Sequence, residues 1–223
     1  VKLAIYTAIY GEYDWVKPVP DLGVPAILYS DRPRDAPGWE VRVVNHGIAT
    51  LNGSPTITAP MLAHKFWKCH PHLAVPDADV TMWIDGSMQI VINDYVARCL
   101  EALNDDEWSC VPHPARTCIY PEADFSATLT WRYHAESILK QAAHYRSIGH
   151  SAGTGLVATG ANVRRHTPTV IEIGEQWWHE NLIWSHQDQL SLPVLFGQHP
   201  ELRWNMNLPW FQWWYLYEHG AQH

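Results

Sequence analysis

The run Lys2 to Ile9 (KLAIYTAI) constrains the fold of this chain more than any other segment. It is apolar and β-branched without the alternation of a strand that keeps one wet face, so it predicts a strand covered on both sides. The run stops at Tyr10-Gly11, where the glycine signals a turn. Shorter runs of the same kind follow at Pro25 to Ser30, Trp39 to Val44, Asp79 to Ile84, Glu107 to Val111 and Leu156 to Arg165. Met88 to Ile92 follows Asp79 to Ile84 after three residues. Between them lie helical patterns. One begins at Thr58, a plausible N-cap, with Pro60 in its first turn, and runs through Cys69. Asn93 or Asp94 caps another that ends at Leu103, and a long polar one covers Ala123 to Ile148. A glycine-rich turn, Gly149 to Gly155, separates it from the next strand, and two further helices are expected over Thr169 to Leu182 and Gln187 to Phe196. Strands alternating with helices predict an α/β fold, with a mostly parallel central sheet flanked by helices.

A chain of 223 residues suits one domain, 1–223, and no repeat, low-complexity tract or flexible linker divides it. Its formal charge of −8 is spread without any block of like charge. That argues against extended nucleic-acid binding, whose affinity comes from clustered cations neutralising phosphates. No apolar run approaches the roughly 18 to 20 residues needed to cross a bilayer, and no basic segment with an apolar core opens the chain. The expectation is a cytoplasmic protein without a membrane span. Cys69, Cys99, Cys110 and Cys118 show neither zinc-type spacing nor the density of a disulfide scaffold, and read as reduced, mostly buried thiols. The chain holds 13 Trp, seven of them (Trp177, Trp178, Trp184, Trp204, Trp210, Trp213, Trp214) near its end. Such rings can stack on sugar faces, but most are expected to fill core.

Ligands of open α/β sheets bind at the carboxyl ends of the strands. The candidates there are Thr7 to Gly11, Asp31, Asp85 to Ser87, and His113 to Arg116. In Trp83-Ile84-Asp85-Gly86-Ser87 a carboxylate emerges from a buried strand into a glycine turn. Such an Asp either holds a divalent cation on a diphosphate or simply caps the turn. Lys65 and Lys68 lie three apart and share a helix face. Ser185-His186-Gln187-Asp188-Gln189 is either a second acidic site or the start of a helix, with Ser185 as cap and Asp188 in the first turn. A phosphate-binding glycine loop, a dinucleotide fingerprint and a serine-nucleophile turn are all missing. Helical spacing puts His70 and His72 on different faces, and the 14 His read as scattered structural or surface residues.

These segments, in order, resemble the glycosyltransferase-like domain of plant mucilage-related and turgor-regulation proteins and their bacterial and viral relatives. The resemblance is carried by Tyr6 to Asp14, Tyr29-Ser30-Asp31, Lys65-Phe66-Trp67-Lys68 with Pro71-His72, and Trp83 to Ser87. It continues through His113-Pro114, Arg116, Cys118, Tyr120, Glu122, Gly155-Leu156, Arg164 or Arg165 with His166, Trp177-Trp178, and Asp188 to Ser191. It implies a single GT-A-like (Rossmann-like) domain that transfers a hexose or pentose from a nucleoside-diphosphate sugar, uridine favoured by analogy, to an acceptor hydroxyl. By resemblance Thr7, Ala8, Tyr10 and Asp31 hold the nucleoside, and Lys65 with Lys68 or Arg116 holds the diphosphate. Asp85, Gly86, Ser87 and Gly155 complete the donor site, with Asp85 holding either a divalent cation, Mn2+ or Mg2+, or the donor ribose. Asp188-Gln189 corresponds to the Asp-Gln pair that lies against the donor sugar in glycogenin-type retaining enzymes.

The sequence departs from that pattern twice. Ser87 stands where the usual motif has its second carboxylate, and Asn205 or Asn207 stands where relatives have a His. The acceptor is left open among a glycan, a protein, a small molecule and a modified base. Two other readings compete: a non-catalytic nucleotide-sugar or glycan-binding domain on the same fold, and a glycoside hydrolase using Asp85 and Asp188 as its carboxylate pair.

Overall fold

The computed structural model describes residues 1–45, 59–209 and 215–217. Thr58 and the tryptophans at 210, 213 and 214 lie outside the described residues. Strand β1 (Leu3–Ile9) occupies the middle of the sheet, between β2 (Ala26–Ser30) and β4 (Val80–Ile84) and parallel to both. β3 (Glu40–Val43) closes one edge, parallel to β2. On the other side stand β7 (Val157–Arg165), β6 (Trp108–Pro112) and β8 (Trp204–Asn205), giving the order β3-β2-β1-β4-β7-β6-β8. β7 runs antiparallel to both neighbours, and the other pairings in this sheet are parallel. A second small sheet joins β5 (Met88–Ile90) to β9 (Tyr215–Tyr217).

The helices are α1 (Ala59–Cys69), α2 (Pro71–Ala74), α3 (Tyr95–Leu103), α4 (Ile119–Thr128), α5 (Ala135–Ser147), α6 (Pro168–Ile183) and α7 (Leu192–Gln198). The strand period explains why β1 is apolar throughout. Ile5 packs toward α3 with Met82, Ile84, Val163, Cys99 and Leu103. Ala4, Tyr6 and Ala8 face the opposite layer with Trp83, Ala63 and Trp67 of α1. Each face thus removes its own alternate residues from water, and polar substitution at either parity would bury an unpaired group.

Three expectations need correcting. The polar region over 123–148 forms α4 and α5, separated by a turn in which the Tyr133 amide donates to the Leu129 carbonyl at 2.9 Å. The last helix starts at Leu192 with Pro193 in its first turn, so residues 185–191 form a loop. The rings of His70 and His72 both approach Glu175, at 3.2 and 3.7 Å, because α1 stops at Cys69 and His70 opens α2. Elsewhere the tryptophans fill core as expected. Trp83, Trp108 and Trp177 are fully buried, whereas Trp15 and Trp131 are exposed. The four cysteines are free, and burial pushes the thiols of Cys69, Cys99 and Cys110 up to about 12.

Candidate functional site

A cavity of about 670 Å³ opens where β1 and β4 end, bounded by α1, the Thr159-Gly160 segment of β7, α4 and the 185–191 loop. Four ionised side chains meet at its floor. α1 sends Lys65 and Lys68 from one face, three residues apart, as the sequence predicts. Lys65 Nζ lies 2.5 Å from Asp188 Oδ2, and Lys68 Nζ lies 2.9 Å from the same oxygen and 3.2 Å from Asp85 Oδ1. Asp85 Oδ1 also accepts the Trp83 indole N–H at 2.8 Å and faces His64 Nε2 at 3.4 Å. The other ring nitrogen of His64 donates to the Ala8 carbonyl at 2.9 Å, tying α1 to the end of β1.

Asp188 reaches the cluster because its loop is pinned at the Asp188 carbonyl, from α6 and from within the loop. The buried indole of Trp177 on α6 donates to the Asp188 carbonyl at 3.0 Å, and Ser191 Oγ donates to it at 3.3 Å. Ser185 Oγ donates to Gln141 and caps nothing, so helix capping does not account for this motif. Thr159 supplies the remaining partner, its hydroxyl donating to Asp188 Oδ1 at 2.8 Å and accepting from Lys68 at 3.2 Å. A shift of register between β6 and β7 makes this possible. Cys110 pairs with Asn162 but Val111 pairs with Ala158, so an irregular stretch of β7 turns Thr159 and Gly160 toward the cavity. Below the lysines, fully buried Arg164 donates to the Lys68 carbonyl at 2.6 Å and to the Tyr6 hydroxyl at 2.6 Å.

The electrostatics follow from this sharing. Burial opposes ionisation of Asp85 and Asp188, but the ammonium groups outweigh it and hold both carboxyls well below the usual range. Lys68 is likewise desolvated, yet two carboxylates raise it above its ordinary value. Lys65 leans mainly on Asp188, which it shares with Lys68, so desolvation and the neighbouring ammonium lower it. Of the two lysines, only Lys65 lines the cavity; Lys68 is fully buried beneath it.

The far wall comes from α4 and the turn after it. Buried Glu122 accepts from Gln187 at 2.9 Å and from Ser126 at 3.2 Å and pairs with Arg116, while the Tyr133 hydroxyl donates to Gln187 at 3.2 Å. His186 sits beside Tyr133, ring centroids 4.9 Å apart.

Of the residues named from sequence, Ala8, Tyr10, Lys65, Asp85, Ser87, Asp188 and Gln189 line this cavity. Thr7 and Gly86 line a much smaller crevice next to it. Gly86 packs tightly there, since a Cβ would come within 2.5 Å of Ile9. Asp31 accepts the Gly11 amide at 3.1 Å and pairs with Arg32 and Arg34, holding the loop after β1 rather than lining the cavity. Arg116 is engaged by Glu122, and Gly155 lies near Met206, both off the cavity wall. Asn205 belongs to β8, where it pairs with Ser109, Ala102 and Asp106. Sequence reasoning gave no site role to His64, Thr159, His186 or Gln187. Gly160 within a strand pattern was the available signal for the irregularity that turns Thr159 inward. Among the described residues no three His, Cys, Asp or Glu converge on a cation position. Asp85 Oδ1 already faces three nitrogen groups, so these residues do not fit a resident divalent cation.

A cavity at the carboxyl ends of parallel strands, with polar groups converging on its floor, lies where open α/β sheets place their ligands. The chain belongs to the family described as TOD1/MUCI70, glycosyltransferase-like domain, whose model matches residues 57–212. No curated protein matches the sequence. Among solved structures it is similar to core-mannan synthase A of Aspergillus fumigatus in its Mn/GDP form, at 11% identity and a TM-score of 0.48, over 92% of this chain and 72% of that one. It is similar to the same degree, 11% and 0.48, to the apo bifunctional glycosyltransferase WbbM, over 92% of this chain but only 38% of that one. Apo mouse xyloside xylosyltransferase 1 gives 9% identity and 0.41, over 90% and 83%. The metal, nucleotide and sugars in those descriptions are properties of those proteins. No helix among the described residues is long and apolar enough to cross a membrane.

Proposed function

We propose that this chain transfers a sugar from a nucleoside diphosphate to an acceptor hydroxyl, with uridine diphosphate the favoured leaving group by family resemblance. The observation that carries the reading is the Lys65–Asp188–Lys68–Asp85 cluster at the floor of the cavity. Breaking the bond between the sugar and the diphosphate leaves negative charge on the phosphate. A buried ammonium already in place stabilises that charge without solvent having to reorganise. In this reading Lys65 turns to the diphosphate, Lys68 holds Asp85 and Asp188 in position, and Ala8 and Tyr10 border the nucleoside. Asp188 and Gln189 face the sugar. A divalent cation, if the donor carries one, would find Asp85 as its one motif carboxylate, and no step is assigned to it. We also propose that residues 1–223 act as one domain. The support is β1: the family match starts at residue 57, yet β1 lies mid-sheet between β2 and β4. Free, buried thiols support a reducing compartment such as the cytoplasm.

A non-catalytic nucleotide-sugar-binding role has its own support, since Ser87 replaces a carboxylate and both lysines are already neutralised. Thermal shift against uridine and guanosine diphosphates and their sugars tests binding, because a ligand of the folded state raises its melting temperature. Release of free nucleotide from the sugar conjugate then separates enzyme from binder. The transferase reading predicts a shift and slow turnover, and no shift with any nucleotide refutes it.

A further inference from the structure

Beneath the cavity floor lies a fully buried cation with no carboxylate beside it. Arg164 belongs to β7, where Thr81 of β4 and Trp108 of β6 are its cross-strand partners, and its side chain runs toward the end of α1. Its Nη2 donates to the Lys68 carbonyl and to the Tyr6 hydroxyl, each at 2.6 Å, and the guanidinium lies 4.8 Å from the centre of the Trp108 ring. Among the described residues no carboxylate pairs with it, and its Nε and Nη1 have no partner. Neighbours that could become anionic stay neutral. Burial raises the Tyr6 phenol and pushes the Cys69 and Cys110 thiols up to about 12. The carbonyl end of α1, which Arg164 reaches, offsets about half a charge. What remains is destabilising until an anion arrives, because a buried charge without a counter-charge is costly.

The groups above Arg164 do not supply a surplus of positive charge. Lys65 and Lys68 are matched by Asp85 and Asp188, so the floor taken alone is neutral and offers a diphosphate no net attraction. We propose that Arg164 is a positioning residue for the diphosphate: it fixes the Lys68 end of α1 and makes the floor net positive, so that the floor holds a polyphosphate by charge. This inference rests on the glycosyltransferase reading above. Arg164 neither lines the cavity nor touches a ligand, and it acts through Lys68 and through the interior, where a low dielectric carries a charge beyond its contacts. Two histidines bear on the same charge. His64, 3.4 Å from Asp85, adds to the surplus when protonated. His166, whose Nε2 lies 3.2 Å from the Thr81 hydroxyl, is pulled down to about 4 by burial and by Arg164 itself, so it adds nothing at neutral pH.

Titration calorimetry with UDP and with inorganic pyrophosphate tests the assignment on the parent, Arg164→Lys and Arg164→Gln. It is run in EDTA, so that no divalent cation contributes, and at about pH 8.5, where an ordinary imidazole is neutral. Lys keeps the charge, and Gln keeps a donor for the Lys68 carbonyl without the charge. In the parent, pyrophosphate should bind by itself and displace UDP. The Gln variant should lose about tenfold for both ligands, and the Lys variant should stay within about threefold of the parent. A role in shape alone predicts equal losses in the two variants. Equal losses, no loss in the Gln variant, pyrophosphate that fails to displace UDP from the parent, or UDP that binds the parent only with added Mn2+ would each overturn the role of Arg164. The transferase reading would stand in all four cases. The two parent measurements decide the matter if neither variant folds. If no nucleotide binds the parent with or without metal, both readings fall together.

Discussion

Replacing Asp188 by Asn should make the protein less stable and its anion site stronger at once. The Asn side chain keeps the volume and can still accept from Thr159, whose hydroxyl lies 2.8 Å from Oδ1. Lys68 keeps Asp85 at 3.2 Å, but Lys65 loses the carboxylate it contacts at 2.5 Å. Two ammonium groups against two carboxylates become two against one, and breaking a buried pair costs about 3–5 kcal/mol. Lys65 can relieve part of this by giving up its proton, which burial and Lys68 already favour. That places the loss near the low end, about 3 kcal/mol, or roughly 6–12 °C for a chain of this size. An arriving diphosphate then meets an unpaired ammonium instead of displacing Asp188. The gross attraction at about 4 Å in an effective dielectric of about 20 is about 4 kcal/mol per unit charge, and most of it is lost to desolvation. A tightening of about tenfold is expected for bare uridine diphosphate, together with a thermal shift larger than the parent's and loss of transfer. Scanning calorimetry with and without nucleotide, and titration calorimetry at 0.05 and 0.15 M salt, read all of this. An unchanged melting temperature with unchanged or weaker diphosphate binding refutes the coupling between Lys65 and the anion.

Lys65→Ala leaves Asp188 paired with Lys68, so circular dichroism should be unchanged while diphosphate affinity falls about 10- to 100-fold, the range of one charge-assisted hydrogen bond; equal affinity would return Lys65 to a structural role. Chelation of divalent metal should change bare-nucleotide affinity by less than about threefold if Lys65 supplies the main counter-charge, and a larger drop on EDTA titration argues that a cation does. His186 titrates near 3 when folded and near 6.5 when unfolded, so in between the unfolded chain binds the extra proton and stability falls with pH by about 1.4 kcal/mol per unit. Asp85 and Asp188, depressed on folding, add losses only below about 4; burial also pulls His166 down to about 4, so His186→Gln should lessen, without abolishing, the fall of urea midpoints from pH 6.5 to 4.5. Gly174→Ala would place a Cβ 2.4 Å from the Cys69 carbonyl oxygen and push α6 off α1, for a loss of about 1–3 kcal/mol seen as an earlier thermal midpoint.

What could be read from sequence divides by the range of the forces that set each residue's backbone. β1 and β4 were legible because burial on both faces writes a continuous apolar run, and the Asp85-Gly86 turn at the strand end follows from local chemistry. Lys65 and Lys68 were legible as a pair because helical spacing alone puts them on one face. Asp188 was legible locally as either a site residue or a helix start, and family resemblance tipped the balance while the helix signal misled. Ser185 and Asp188 match the start of a helix, but Pro193 sets that start later, and the loop's shape comes from Trp177 and Ser191 gripping the Asp188 carbonyl. Thr159 depends on a register shift between β6 and β7, which no property of Thr itself announces. His186 was one of 14 histidines, and its burial against Tyr133 at the cavity is visible only once α4, α5 and the loop have packed. On the transferase reading proposed above, the legible half of the site, set by helix spacing and strand ends, is the half assigned to phosphate. The half assigned to the sugar is built by long-range contacts, so on that reading substitutions at Trp177 or Tyr133, which hold the Asp188 carbonyl and Gln187, should act on sugar discrimination first and on nucleotide affinity second.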